Sequence, residues 1–364
     1  MNRTIRVFAT SDLYTDQRVN RTAKSLSNAG FRVVVTGRKP KIKSVQSNRP
    51  YEVRYIRCMV SKGPLFYFLF NVRIALSLIF ARYSGVYAND LDTLPGCWIA
   101  SVIRFKPLIY DSHELFPEVP ELIGNPVKKM MWRIAEYICI KKAKLVFTVS
   151  NGVADELNRR YGVKPIVVRN LPQKREIESI RNSRPTLIYQ GALNVGRGIE
   201  LAIDTMNYLS CYKLIIVGVG DIEAELRKRV INQKLFDRIE FTGRLEPSDL
   251  HRLTSTAWLG LSLEEDMGLN YRYALPNKVF DYIAAKVPIL VSDLPEMRSV
   301  VDEYRVGIVA KNRDPKELAL QISDFIEDKK LRETVEKNLQ KASMELLWSN
   351  EEPKLVDPIK QLFG

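Results

Sequence analysis

Two histidines serve 364 residues, and one of them, His113, closes an apolar run in LIYDSHELFPEVPEL, residues 108–122. An imidazole placed where a strand releases its chain can exchange protons or hydrogen bonds near neutral pH. A second group lies in LNYRYALPNKVFDYIAAKVPILVSD, residues 269–293. Pro276 and Asn277 signal a helix start, with Asn277 the expected cap. Val279, Phe280, Ile283 and Ala284 then recur at helical spacing. Lys278 would add a full charge to the partial positive charge of that helix end, a pairing that holds phosphate. Asp281, one turn in, is placed to accept hydrogen bonds from ribose hydroxyls. The same pattern also fits an ordinary capped helix with a solvated lysine. The third group is YQGALNVGRGIELAIDTM, residues 189–206. There Gly191 ends a strand, Gly196 and Gly198 loosen the next turn, and Arg197 offers a planar fork of donors suited to a diphosphate. The spacing is neither the dinucleotide fingerprint nor a P-loop.

These groups need strands and helices to position them. Strand-like runs at 5–10, 32–37, 85–89, 107–112 and 145–150 alternate with amphipathic stretches such as Val19 to Ala29. A polar, proline-marked connector covers 169–185, and a second series of runs follows at 186–191, 212–220, 238–243, 258–263 and 287–293. This alternation predicts right-handed βαβ units and parallel sheets. The expected division is a first α/β domain over 1–168 and a second over 169–346, with helices at 314–328 and 330–346. The tail, 347–364, is expected to pack outside the second domain. In such sheets ligands lie beyond the carboxyl ends of the strands. Ser11-Asp12, Asn89-Asp90, Asp111-Ser112-His113, Ser150-Asn151, Gly191, Gly218 and Gly220 all follow strands in this reading.

Composition adds charge and compartment. The chain is 46% hydrophobic and 27% charged, which describes a globular protein and excludes a disordered one. Residues 1–168 hold 27 Lys and Arg against 12 Asp and Glu, whereas 169–364 hold 29 against 30. The excess of positive charge therefore belongs to the first half, and it fits a nucleic acid, an acidic glycan or anionic lipid. The start, MNRTIRVFATSD, has no sustained apolar run, so no signal peptide is expected. Cys58, Cys97, Cys139 and Cys211 are scattered and read as buried, reduced thiols of a cytoplasmic protein. Residues 62–85 are apolar and aromatic, but Arg73 leaves segments far shorter than the ~20 residues a bilayer requires. They fit either a buried helix or an edge of Phe66, Tyr67, Phe68 and Phe70 dipping into a membrane surface. The basic helix at 127–144 would add attraction to anionic lipid there.

Taken together, order and spacing resemble glycosyltransferase family 4, retaining sugar transferases of the GT-B fold. The resemblance rests on TDQRVNRTAKSLSNAGFRVVVTGR, YANDLDTL and YDSHELFPEVPEL in the first half. In the second it rests on YQGALNVGRGIELAI, LIIVGVG, FTGRL and LPNKVFDYIAAKVPILVSD. It implies two Rossmann-like domains facing across a cleft, with a C-terminal helix crossing back to the first. It also implies a nucleotide-sugar donor, UDP- or GDP-linked, and no metal or other cofactor. His113 matches the histidine that orients the donor sugar. Arg197, Asn277 and Lys278 would hold the diphosphate, Asp281 the ribose, and Leu245 the nucleobase. The family's first sugar-reading glutamate falls here on Tyr273, so Glu265, Asn270 or Tyr271 would supply sugar contacts instead. Ser11, Asp12 and Asp90 would face the acceptor, a glycan or lipid-linked oligosaccharide.

Asp90 and Asp92 form an Asp-x-Asp pair that resembles a metal site, but it reads better as a strand-end turn. His251 reads as a surface helix residue. Two other functions compete with this one. A nucleotide-sugar 2-epimerase would need more acid-base groups than two histidines suggest. A nucleic-acid binder would need base-stacking aromatics amid the basic residues or a recognisable module, and the sequence offers neither. The expected protein is thus a transferase on the cytoplasmic side, peripheral at the inner membrane face, without a nucleic-acid partner.

Overall fold

The structure is a computed structural model describing residues 3–39, 49–58, 60, 62–119, 122, 124–175 and 181–364. Residues 176–180 of the connector, and Pro120 and Glu121 of the loop after His113, lie outside the described residues. The chain divides into two compact units, one of residues 1–170 and 351–364, the other of residues 171–350.

Unit 1 runs β1 (Thr4–Ala9), α1 (Gln17–Asn28), β2 (Arg32–Arg38), β3 (Glu52–Ile56), α2 (Pro64–Ile79), β4 (Gly85–Asn89) and α3 (Leu94–Arg104). It continues with β5 (Leu108–Ser112), α4 (Pro126–Ile140), β6 (Ala143–Thr148), α5 (Asn151–Tyr161) and β7 (Ile166–Val167). Its strands form one parallel sheet in the order β3-β2-β1-β4-β5-β6-β7. β4 and β5 are buried at every position, which explains their unbroken apolar runs.

Unit 2 runs β8 (Thr186–Gln190), α6 (Ile199–Thr205), β9 (Lys213–Val217), α7 (Glu223–Asn232), β10 (Ile239–Gly243), α8 (Pro247–Ser255) and β11 (Leu259–Ser262). Then come α9 (Leu269–Arg272), α10 (Asn277–Ala284), β12 (Ile289–Val291), α11 (Pro295–Tyr304), β13 (Gly307–Val309), α12 (Pro315–Glu327) and α13 (Lys329–Glu345). The sheet order is β10-β9-β8-β11-β12-β13, again parallel. The last helix, α14 (Trp348–Phe363), tolerates Pro353 and Pro358. Its end belongs to unit 1: the Phe363 ring lies 5.8 Å from that of Phe31, and Arg3 donates to the Gly364 carbonyl at 2.7 Å.

Both sheets reverse direction beside their first strand, between β1 and β4 and between β8 and β11. Ligands of open α/β sheets gather at such points. The short strands β3, β7 and β13 carry too few consecutive apolar residues to stand out in the sequence.

The structure divides the aromatic run between the two readings and corrects two expectations. Phe66 and Phe70 are buried on the inner face of α2, and of that aromatic run Phe68 is the exposed one. His251 is buried on α8, where burial and nearby Arg175 lower its pKa, because α8 turns this face inward. Cys211 is exposed, and Cys58 is half-buried, while Cys97 and Cys139 are buried; all four are free thiols.

Candidate active site

In unit 1 the end of β5 builds a charged network around His113. Asp111 is fully buried on β5, where an unpaired carboxylate would be very costly. Arg18 of α1, itself 4% exposed, meets it in a two-point bond: Nε to Oδ2 at 3.0 Å and Nη2 to Oδ1 at 2.7 Å. The Tyr87 hydroxyl donates to Asp111 Oδ2 at 2.7 Å, and Arg18 Nη1 donates to the Val168 carbonyl at 2.7 Å. Burial pushes the Asp111 carboxyl up, but Arg18 and His113 outweigh it and hold it well below the usual range.

His113 lies two residues on, with its side chain 19% exposed. Its Nδ1 is 3.1 Å from Asp90 Oδ2 and its Nε2 is 3.4 Å from Asp111 Oδ2. Its backbone N–H donates to Asp90 Oδ1 at 2.8 Å. Asp90 closes the turn after β4 with φ 59°, a left-handed conformation that aspartate tolerates. Burial works against charge on the imidazole, but Asp90 and Asp111 hold its pKa well above the ordinary value. The two carboxylates thus favour the charged ring, a donor rather than a base. Its buried Nε2 has no well-formed hydrogen bond.

Asp92 is buried too, accepts from the Thr10 hydroxyl, and leaves Oδ1 without a partner. Its carboxyl is pushed up to about 8, chiefly by burial and then by Asp90. The Asp-x-Asp pair is thus divided, one carboxylate serving His113 and the other buried in the core, where its protonated form is favoured. Among the described residues no cluster of three or more His, Cys, Asp or Glu could hold a metal ion.

In unit 2 the glycine turn and α10 converge on one carboxylate. Gly198 has φ 71°, and a Cβ there would lie 1.9 Å from the Leu263 carbonyl oxygen. The turn therefore packs against the segment after β11, and Arg197 is carried to it. Glu264, 1% exposed, sits two residues beyond β11. Lys278 Nζ is 2.9 Å from Glu264 Oε1 and Arg197 Nη1 is 3.9 Å from the same oxygen. Ser262 donates to Oε2 at 2.7 Å. Each cation also faces an aromatic ring, Arg197 that of Tyr271 at 5.3 Å and Lys278 that of Tyr189 at 4.0 Å. Burial raises the Glu264 carboxyl, but Lys278, Ser262 and Arg197 bring it below the usual value. Two cations share one anion, so the cluster keeps a net positive charge beside the start of α10.

Helix α10 is locked in place by Tyr282, whose hydroxyl accepts from the Gln190 N–H at 3.1 Å and lies 3.1 Å from the Leu261 carbonyl oxygen. Two details of this helix are corrected. Pro276 occupies the cap position, with no side-chain capping bond, because Asn277 is already in the helix as its first residue. Lys278 is 7% exposed rather than solvated, drawn in by Glu264.

A family model for glycosyl transferases group 1 matches residues 171–342, and one for glycosyltransferase family 4 matches residues 16–171. The chain belongs to the family 4 glycosyltransferases. It is 22% identical over 265 residues to alpha-D-kanosaminyltransferase of Streptomyces kanamyceticus, spanning 66% of this chain and 67% of that protein. It is 26% identical over 182 residues to the O-antigen chain mannosyltransferase RfbU of Salmonella typhimurium, spanning 48% and 49%. The structure of Anabaena HepE in complex with UDP and glucose shares its fold, with TM-score 0.78 at 17% identity over 99% of this chain and 98% of that one. The two parallel-sheet, Rossmann-like units are those of a GT-B enzyme.

The remaining candidates of this glycosyltransferase lie on both units. Asp281 accepts from Gln190 Nε2 at 3.2 Å, and Gln190 in turn accepts from the Thr254 hydroxyl at 2.8 Å. Leu245 is half-buried against the unit 2 core. Tyr271 is buried, its hydroxyl donating to the Val195 carbonyl at 3.1 Å, while Asn270 is half-buried on the same short helix. Glu265 lies 3.3 Å from Arg313 Nη2. In unit 1, exposed Ser11 donates to Asp16 at 2.5 Å and exposed Asp12 accepts from the Tyr14 N–H at 2.9 Å. Both belong to the turn that caps α1.

Glu264, Arg18 and Tyr87 escape the sequence reading, and Asp111 enters it only as a strand-end residue without a partner. A signal existed for Asp111: a carboxylate inside a wholly buried strand requires a cation. For Glu264 the signal was weaker, since Glu265 beside it is equally acidic.

Proposed function

We propose that this glycosyltransferase moves a sugar from a nucleoside diphosphate sugar to a glycan or lipid-linked oligosaccharide in surface polysaccharide synthesis. It does so with retention at the anomeric carbon and without a metal, on the cytoplasmic side at the inner face of the membrane. The observation that carries this reading is the sharing of Glu264 by Arg197 and Lys278. The pair keeps excess positive charge where open sheets bind their ligands. A diphosphate is the leaving group that such a site suits.

In this reading unit 2 holds the donor. Arg197 and Lys278, with the α10 start, hold the diphosphate, and Asp281 and Leu245 hold the ribose and base. Sugar contacts come from Asn270, Tyr271 or Glu265. As the anomeric C–O bond breaks, negative charge grows on the diphosphate and the two cations stabilise it. Each such preorganised contact contributes about 3–4 kcal/mol to lowering a barrier. The acceptor hydroxyl attacks from the same face and passes its proton to the departing phosphate oxygen. His113, its charged form favoured by Asp90 and Asp111, hydrogen-bonds the donor sugar and orients the ring. Ser11, Asp12 and Asp90 serve the acceptor side. HepE was solved with UDP and glucose, and RfbU is an O-antigen chain mannosyltransferase, which together favour a nucleoside diphosphate hexose and a glycan acceptor.

A thermal-shift screen of nucleoside diphosphates and their sugars tests the donor site, because a ligand bound only by the folded state raises its melting temperature. UDP or GDP should raise it with and without chelator. Proton NMR of the product then reads the anomeric configuration. No shift from any nucleotide, or an inverted product, would defeat the proposal. Isomerised donor in the absence of acceptor would turn it toward an epimerase.

A further inference from the structure

Among the described residues no helix is long and apolar enough to cross a membrane. Unit 1 nonetheless carries an unusual surface. From β3 through β4 and β5 to β6 the chain moves one way along the sheet. Right-handed crossovers therefore place α2, α3 and α4 on one face. The Tyr67 ring of α2 meets that of Trp132 of α4 at 5.3 Å, joining the helices.

Helix α4 buries Glu136, Cys139 and Ile140 but also turns an apolar stripe outward. Val127, Met130, Met131, Ile134, Tyr137 and Ile138 recur at helical spacing and are all about half exposed or more. A core-facing helix would bury such a stripe. Instead Glu136 points inward, accepting from the Tyr110 hydroxyl at 2.9 Å and the Tyr161 hydroxyl at 2.7 Å. Helix α2 continues the surface with Leu65, Phe68, Val72 and Leu76, all exposed. Phe80 after α2 is 86% exposed and Phe105 after α3 is 90% exposed, the latter beside exposed Val102 and Ile103.

Charge identifies what covers this face. Segments 62–82, 94–106 and 126–144 contain one acidic residue, Glu136, and it is buried. Around the apolar positions stand exposed Lys62, Arg104, Lys128, Lys141, Lys142 and Lys144. Lys129 and Arg133 are held by Glu118, at 2.5 and 2.6 Å. A second copy meeting this face by two-fold symmetry would bring like charges together. An anionic lipid surface takes both features at once: the phenyl, Met and Ile side chains enter the acyl boundary while the lysines meet the headgroups.

We infer that the outer faces of α2, α3 and α4, with Phe80 and Phe105, dock unit 1 onto an anionic membrane surface. This deepens the transferase proposal and rests on it only for the meaning of the contact, delivery of a lipid-linked acceptor. Vesicle binding itself stands apart from the donor chemistry.

The test is flotation of the full chain with phosphatidylcholine vesicles, with and without phosphatidylglycerol. The wild type should float with the anionic vesicles and be released by high salt, since each basic residue near the surface contributes about 1 kcal/mol of screened attraction. The double variant Met131→Glu, Ile134→Glu changes only exposed positions and should melt with the wild type. Its partitioning should fall at least about tenfold, the loss expected when one buried side chain is removed from the apolar phase. Absence of flotation, or equal flotation of the double variant, overturns the inference. So does a dimer in sedimentation that the variant dissolves, which would make a second copy the occupant. Nucleoside diphosphate thermal shifts, recorded on both proteins, separate the two proposals. Flotation without nucleotide binding would remove the transferase reading and leave the surface, and nucleotide binding without flotation would do the reverse.

Discussion

Lys278 Nζ lies 2.9 Å from Oε1 of Glu264, and both side chains are buried. The ammonium therefore depends on this carboxylate for its charge to be tolerated. Glu264→Gln keeps the shape and the Ser262 contact but leaves Lys278 without its counter-charge. Removing one partner of a buried pair costs about 3–5 kcal/mol, and that loss should appear in urea unfolding. Nucleoside diphosphate should restore part of it, about 2.7 kcal/mol at a hundred times its Kd. A loss below about 1 kcal/mol would mean that Lys278 finds water instead.

Arg197 gives a cleaner functional test, because its side chain is 32% exposed and it meets Glu264 only at 3.9 Å. Arg197→Ala should leave the melting temperature nearly unchanged. Turnover should fall about 10²–10³-fold, as when one preorganised donor to a developing anion is lost. Arg197→Lys should recover part of the rate, since charge returns but the planar fork does not. Parallel losses of melting temperature and rate would move Arg197 from the chemistry to the scaffold.

The two sheets and most helices were legible because buried parallel strands advertise themselves as continuous apolar runs. LIYDS and TLIYQ are buried along their whole length, as their composition suggests. His113 could be placed because it follows such a run. Its partners were hidden because register decides them: Asn89 pairs with Asp111 across β4 and β5, which brings the next residue, Asp90, to the imidazole. Side-chain direction was the second blind spot. Nothing in GLSLEED distinguishes Glu264, enclosed between cations, from Glu265, which turns toward Arg313. The outward apolar stripe of α4 shows the third limit. An amphipathic pattern defines a face without saying whether core or another apolar phase will cover it.

His113 sets a pH dependence whose direction follows from its carboxylate neighbours. Burial opposes its charge, yet Asp90 and Asp111 raise its folded pKa above the unfolded value of about 6.5. The folded chain thus holds a proton that the unfolded chain releases between those values. The stabilisation is complete below about pH 6.5 and is lost as pH rises through the folded pKa. The difference in unfolding free energy between wild type and His113→Gln should be largest on the acid side of that point and shrink toward alkaline pH. A difference that does not vary with pH would mean that the ring is neutral, and would end its role as a fixed donor.

Asp92 behaves in the opposite sense. Burial above all, and then Asp90, push its carboxyl up to about 8, while the Thr10 hydroxyl opposes them. In the unfolded chain the same group ionises near pH 4, about its ordinary value. Between these limits the folded protein binds the extra proton, so stability falls as pH rises, by about 1.4 kcal/mol per unit if the full shift is expressed. Above about pH 8 the fall stops because both states are ionised. Asp92→Asn replaces the carboxyl with an uncharged group of the same size whose oxygen can still accept from Thr10 and whose amide can approach the unpartnered Oδ1 position. The variant should match the wild type near pH 4 and become progressively more stable than it as pH rises to about 8. Urea unfolding at a series of pH values measures this directly. If the two proteins run parallel across that range, Asp92 ionises freely in the folded state and its carboxylate, not its acid, neighbours His113.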